Sequence, residues 1–224
     1  PSLGSKSKSD RGDEKRPLPP QQTQQQPASS PKSPNSASSS AALSLASLGW
    51  LAVPLRDDQA GRPLVFYATS PSDEVAIKVT DHQSARGEAA VLSALATVPE
   101  ARCAKLISVV NLDCGSAVIT KWGGASLRTL LPSLALEERE LAAQQLSTAI
   151  PVWHAHGFAH GDIALRNLVF ASGELTIVDA ERSGPLTERA LAEDSAALAE
   201  TLALLTGKSS VDSNSRVTLP LSRS

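Results

Sequence analysis

The sequence predicts an α+β fold in two lobes, set behind a segment that does not fold. Three observations predict it. Residues 1–47 contain no Phe, Trp or Tyr. Beyond Gly49, short β-rich runs separated by turn residues surround one helical stretch. After the glycine pair Gly123 and Gly124 the pattern becomes helical, interrupted by one hairpin.

The N-terminal segment comes first. Residues 17–40 are almost wholly Pro, Gln, Ser, Ala and Asn, and such a stretch cannot bury enough apolar surface to offset its chain entropy. We read 1–47 as disordered, 48–122 as a β-rich N-lobe, 123–208 as a shortened helical C-lobe and 209–224 as a disordered tail, leaving roughly 160–175 residues to build a core. The basic run at 6–16 is interrupted by Asp10, Asp13 and Glu14. Ser30-Pro31 and Ser33-Pro34 have the form of proline-directed phosphorylation sites, in a tract where such pairs arise by chance.

Charge and cysteine content narrow the class further. Lys plus Arg number 21 against 23 Asp plus Glu, a net charge of -2, so no nucleic-acid partner is expected. The uncharged stretch 41–55 is broken by Ser44, Ser47 and Pro54 and is too short to span a bilayer. Cys103 and Cys114 form neither a metal spacing nor a disulfide framework, which suits an intracellular location, cytoplasmic or nuclear. The sequence has no Met, which places its natural start upstream.

In the folded part, residues 64–68 and 74–80 read as a hairpin. Ser84 is a cap for a helix that carries Glu88, Leu92 and Leu95 on one face. Strands follow at 104–110 and 117–120, and then the glycine pair as a hinge or linker. Residues 136–154 read as a helix with Leu146, Ala149, Ile150 and Trp153 on one face, kinked or ended near Pro151 because an interior proline typically costs ~3 kcal/mol. Runs at 168–170 and 175–178 flank Ser172-Gly173 as a second hairpin. A last helix spans 192–205 and closes at Gly207.

Two constellations carry chemistry. Val75-Ala76-Ile77-Lys78 puts a lysine in an apolar strand, where it either faces solvent or finds a partner, and Glu88 on the following helix is the candidate partner. His160-Gly161-Asp162, Asn167 five residues later and Asp179 at a strand end form the second. Their oxygens are hard ligands that can converge on Mg²⁺ and on a hydroxyl nucleophile. His154 and His156 lie near His160 and Asp162, which also admits a zinc-hydrolase reading.

Together these residues resemble the signature set of the protein-kinase superfamily: V-A-I-K, a helix Glu, H-R-D with a following Asn, and a D-F-G aspartate. The resemblance runs from Val75 to Arg182 and implies a bilobal protein-kinase-like fold that binds ATP and Mg²⁺. It implies that Lys78, paired with Glu88, holds the α- and β-phosphates, with Ala76 beside it. Thr120 and Trp122 would belong to the adenine-binding hinge at 120–123. Asp162 would accept the substrate hydroxyl proton, Arg166 would steady the γ-phosphate or face solvent, and Asn167 with Asp179 would hold the metal. Asp194 resembles the aspartate that braces the catalytic loop.

Three departures from the pattern shape the expected function. No G-x-G-x-x-G precedes the lysine, and between residue 48 and Lys78 only Gly49 and Gly61 occur. His160-Gly161-Asp162 has Gly in place of Arg, as in Rio-type and choline- or aminoglycoside-kinase-like enzymes, and Asp179-Ala180-Glu181 is similar to the D-x-E of small-molecule phosphotransferases. Asp162-Ile163-Ala164-Leu165-Arg166-Asn167 instead looks like a tyrosine-kinase loop. The expectation is an ATP- and Mg-dependent phosphotransferase with a protein hydroxyl as acceptor. An ATP-binding pseudokinase or scaffold, and a small-molecule kinase, are the alternatives.

Overall fold

A computed structural model of the chain describes residues 41–42, 44–47, 49–55, 64–69 and 73–207. Residues 1–40 with their basic run and Ser-Pro pairs, residues 56–63 with Gly61, and residues 208–224, where a disordered tail is expected, lie outside the described residues. Strands β1 (Leu51–Pro54), β2 (Leu64–Thr69), β3 (Glu74–Thr80), β4 (Leu106–Leu112) and β5 (Gly115–Lys121) form an antiparallel sheet in the order β1-β2-β3-β5-β4. With several helices besides, the described residues are of mixed α+β class.

The sheet follows from β-branched and aromatic residues at period two. In β3, Val75, Ile77 and Val79 point to one face, where they meet Phe66 and Ala68 of β2 and Ala117 and Ile119 of β5 in one hydrophobic core. The expected hairpin is the β2–β3 pair. The strand expected from residue 104 begins at Leu106, because the Ala104 amide donates to the Ile177 carbonyl at 2.9 Å and is tied to another hairpin.

The expected disorder boundary at residue 47 shifts upstream. Residues 41–42 and 44–47 are helical, and Ala41 and Leu45 are fully buried on the outer face of the sheet beside Phe66, Ile77 and Ile119. Two apolar side chains beyond the polar tract suffice once a sheet face receives them.

Helix α1 (His82–Leu95) follows β3 directly. Its cap is Asp81 rather than Ser84. The Asp81 carboxylate accepts from the amides of Gln83 and Ser84 at 2.8 and 2.9 Å, and Ser84 Oγ donates to its second oxygen at 2.6 Å. Asp81 is extended and stands where β3 ends, so the helix starts earlier and Ser84 is already inside it. Leu92 and Leu95 enter a second hydrophobic core, and Glu88 is buried on the same side.

That second core is helical. Helices α2 (Leu127–Leu130), α3 (Leu136–Ala155) and α4 (Glu188–Thr206) surround the hairpin β7 (Leu168–Ala171) and β8 (Glu174–Ile177), and the two-residue strands β6 (Phe158–Ala159) and β9 (Gly184–Pro185) pair beside it. Ser172 and Gly173 both have positive φ, 52° and 79°, as a tight two-residue hairpin turn requires. Helix α3 passes through Pro151 and ends at Ala155. Burial holds its last turn: Ile150 and Trp153 are fully enclosed, and Trp153 Nε1 donates to the Ala101 carbonyl at 2.7 Å. Helix α4 starts four residues before the expected 192 because Thr187 Oγ1 caps it through the Ala190 amide, and it ends in left-handed Gly207 as expected. Among the described residues no helix is long and apolar enough to cross a membrane.

Leu45→Ala should cost about 2–5 kcal/mol of unfolding free energy, in the range for a buried leucine truncated in a core. Urea unfolding of the full chain would measure it, and a loss under ~0.5 kcal/mol would mean that the 41–47 helix does not share the sheet core.

Candidate functional site

The face of β3 opposite the sheet core carries Ala76 and Lys78, placed there by the same alternation that buries Ile77. Lys78 has an 11% exposed side chain, and its ammonium meets three carboxylates: Glu88 at 3.0 Å, Asp179 at 2.5 Å and Glu181 at 2.8 Å. The open alternative for this lysine, a side chain facing solvent, is thus removed. Glu88 reaches it from α1, one turn before Leu92, while Asp179 and Glu181 come from the turn after β8.

Charge is unevenly matched there. Burial alone would depress the Lys78 pKa, but Glu88 first and then Asp179 and Glu181 outweigh it and hold the ammonium charged well above the ordinary lysine range. Glu88 moves up from its usual range because burial exceeds the pull of Lys78, and the other two carboxylates add to the effect. Its Oε2 touches the ammonium at an angle poor for a hydrogen bond. One cation cannot fully neutralise three anions.

The second group lies on the loop between β6 and β7. Asp162 forms an ion pair with Arg166, and Asn167 Nδ2 donates to the Asp162 carboxylate and backbone carbonyl, each at 2.9 Å. Burial would raise the Asp162 pKa, yet the bonds from Arg166 and Asn167 prevail and keep it below the usual aspartate value. It is ionised at neutral pH. Because Asn167 turns its amide nitrogen to Asp162, its carbonyl oxygen remains as a ligand donor. The Val178 amide donates to the Asn167 carbonyl at 2.9 Å, which ties the stem of Asp179 to this loop.

Asp194, fully buried on α4, holds the loop from behind. One of its oxygens accepts from the His160 amide at 2.8 Å and from His154 Nε2 at 2.9 Å, and the other accepts from the Gly161 amide at 2.9 Å. A buried carboxylate with three donors is well compensated. Gly161 has φ +76°, and a Cβ there would stand 2.6 Å from the Arg182 carbonyl oxygen, so the loop as built excludes arginine at this position. His160 packs on Trp153 with ring centroids 5.1 Å apart, and burial lowers its pKa. Its Nδ1 accepts from the Asp162 amide at 3.2 Å, which places the proton of the neutral ring on Nε2, beside the Val178 carbonyl but outside hydrogen-bond geometry.

Both groups open on one cavity of about 440 Å³ between the sheet and the β7–β8 hairpin. Ala76, Lys78, Glu88, Thr120, Trp122, Arg166, Asn167 and Asp179 all line it, together with apolar Val65, Val169 and Val178. Asp162 is not in the wall and reaches the cavity through Arg166 and Asn167. The Trp122 amide already donates to the Glu74 carbonyl at 2.9 Å, and its ring meets Tyr67 edge-on, so Trp122 shapes the wall and has no free backbone donor. Gly123 and Gly124 run against β7, where a Cβ would stand 3.1 Å from Val169 and 3.2 Å from Ala171 respectively. Their smallness allows this close approach.

Asn167 and Asp179 both line the cavity and carry side-chain oxygens of the kind a hard divalent cation takes, and the amide of Val178, next to Asp179, is bonded to the Asn167 backbone carbonyl. Zinc is another matter: His154 is taken by Asp194, His156 Nδ1 bonds the Val152 carbonyl at 2.8 Å, and among the described residues no group of three or more His, Cys, Asp or Glu is placed to hold a metal. Sequence reasoning did not place Glu181 on Lys78. Its signal was available, as the second acidic residue of Asp179-Ala180-Glu181 beside a strand lysine.

Asp194→Ala would leave two loop amides and His154 without their acceptor and should cost about 3 kcal/mol or more of stability, with Asp194→Asn milder because one oxygen remains. Thermal unfolding of both variants would test this, and equal, negligible shifts would contradict it.

Compared with models of known protein families and with curated proteins, the chain matches no family model and no curated protein, so the functional reading stands on the geometry of the cavity.

Proposed function

We propose that this chain is an ATP-dependent phosphotransferase of bilobal, protein-kinase-like fold, moving the γ-phosphoryl group of ATP to a hydroxyl acceptor. The observation that carries the reading is one cavity lined by a glutamate-paired strand lysine and by Asn167 and Asp179, with an ionised aspartate bonded to Asn167 at its edge. Four charged or amide groups from separate elements converge on it, as the resemblance implies. The sheet and the helical core on either side would be the two lobes.

In this reading adenine lies between the apolar side chains of Val65 and Ala76 and those of Val169 and Val178, with Thr120 and Trp122 at its edge. Lys78 binds the α- and β-phosphates. Magnesium, held by Asn167 and Asp179, would neutralise phosphate charge and help fix the phosphates in line. Asp162 accepts the proton of the acceptor hydroxyl as its oxygen bonds to the γ-phosphorus and the bond to the β–γ bridging oxygen breaks, releasing ADP. Arg166 balances the Asp162 charge and can follow the γ-phosphoryl group. Positioning and electrostatics carry such a reaction, and rigid loops supply them. A protein hydroxyl is the proposed acceptor class, with a small-molecule hydroxyl as its competitor through Gly161 and Glu181.

One observation favours a second reading, an ATP-binding pseudokinase or scaffold: the ammonium of Lys78 is already surrounded by carboxylates.

Calorimetry on the full chain should find ATP binding that strengthens with Mg²⁺ and is lost in Asp179→Ala. Absence of binding in every condition would remove the proposal. Phosphoryl transfer to a peptide or small-molecule library should fall by about 10²–10⁴-fold in Asp162→Asn, the span typical of a lost general base, and binding without any transfer would favour the scaffold.

A further inference from the structure

The ammonium of Lys78 has three N–H donors, and three carboxylates stand around it. With three carboxylate oxygens already within 3.0 Å of the ammonium, a phosphate oxygen needs the place of one of them. They are not equal candidates. Glu88 is 4% exposed, and pulling it from its only cation would leave a buried, uncompensated charge. Asp179 is set by the backbone, at φ 67° and ψ 62°, on the stem that bonds to Asn167. Glu181 is different. It is more exposed than Glu88, it has the longer side chain of the two turn carboxylates and is not tied to the Asn167 stem as Asp179 is, and its second oxygen has among the described residues only a long 3.5 Å bond from Thr80 Oγ1.

We infer that Glu181 is a gate on Lys78: it occupies the lysine donor that a phosphate requires, and it must swing off the ammonium before an anionic ligand can bind. This deepens the proposed function and rests on it, since the anion in question is the triphosphate of ATP. Glu181 thereby sets the ligand preference of the site. A bare, highly charged polyphosphate must displace Glu181 and then meet its repulsion together with that of Asp179 and Glu88, whereas a ligand whose charge is already partly neutralised meets less. The gate discriminates against uncomplexed nucleotide. Glu181 acts through Lys78 and is a positioning residue in this scheme.

Two readouts on the full chain test it. In EDTA, Glu181→Gln should bind ATP roughly tenfold more tightly than the wild type, because one negative charge near the phosphates is removed, and Thr80→Val, which loosens Glu181, should move affinity in the same direction by less. Independently of nucleotide, acylation of Lys78 by a soluble amine-reactive ester, read by peptide mass spectrometry, should be faster in Glu181→Gln than in the wild type, with labelling of exposed lysines such as Lys121 unchanged. Faster labelling without ATP binding by any variant would keep the gate on Lys78 and overturn the nucleotide reading instead. Unchanged Lys78 labelling in Glu181→Gln, or ATP affinity in EDTA equal to or below that of the wild type, would overturn the gate.

Discussion

A single ammonium shared among three carboxylates sets the terms for the rest of this molecule. Lys78 is carried into a nearly closed position by a strand whose other face is sealed in the sheet core, and it stays charged there because Glu88, Asp179 and Glu181 surround it. Each partner arrives under different constraints: Glu88 on a helix anchored by Leu92 and Leu95, the other two on the turn that follows β8. The ion cluster therefore joins the sheet to the helical part. Its electrostatics are strained in one direction, with more negative than positive charge, and a site of that kind accepts cations readily and anions reluctantly.

Behind the cavity, a different device gives the loop its form. Asp194 gathers two consecutive backbone amides and one histidine on a fully buried carboxylate, so that the loop carrying Asp162 and Asn167 takes its shape from α4. Gly161 is the conformational price of that arrangement, since its positive φ and its approach to the Arg182 carbonyl leave no space for a side chain. The glycine that separates His160-Gly161-Asp162 from the more familiar H-R-D pattern thus has a local steric origin.

Much of the layout was legible in the residues alone, because local rules governed it. Period-two alternation marked the β2–β3 hairpin, the 3.6-residue period put Glu88, Leu92 and Leu95 on one buried face, and Ser172-Gly173 marked a tight turn. Where local rules competed, the reading slipped. Asp81 and Ser84 are both good caps, and the end of β3 decided between them. The helix expected over 136–154 is there, and the enclosure of Ile150 and Trp153 carries it past Pro151 to Ala155. The polar character of residues 1–40 was extended over Ala41 and Leu45, whose burial depends on a sheet face formed by residues far along the chain.

The sequence by itself determined which chemistry is present: a lysine in an apolar strand, side-chain oxygens at Asn167 and Asp179, and the aspartate Asp162 in a loop, since side-chain chemistry and short-range periodicity need no partner to be read. Only the tertiary structure decided how that chemistry is shared. That Lys78 answers to Glu181 as well as Glu88, that Trp122 has spent its amide on Glu74, and that Asp194 shapes the loop all depend on groups distant in sequence meeting within about 3 Å. Such distances follow from the packing of whole elements, which no local pattern encodes.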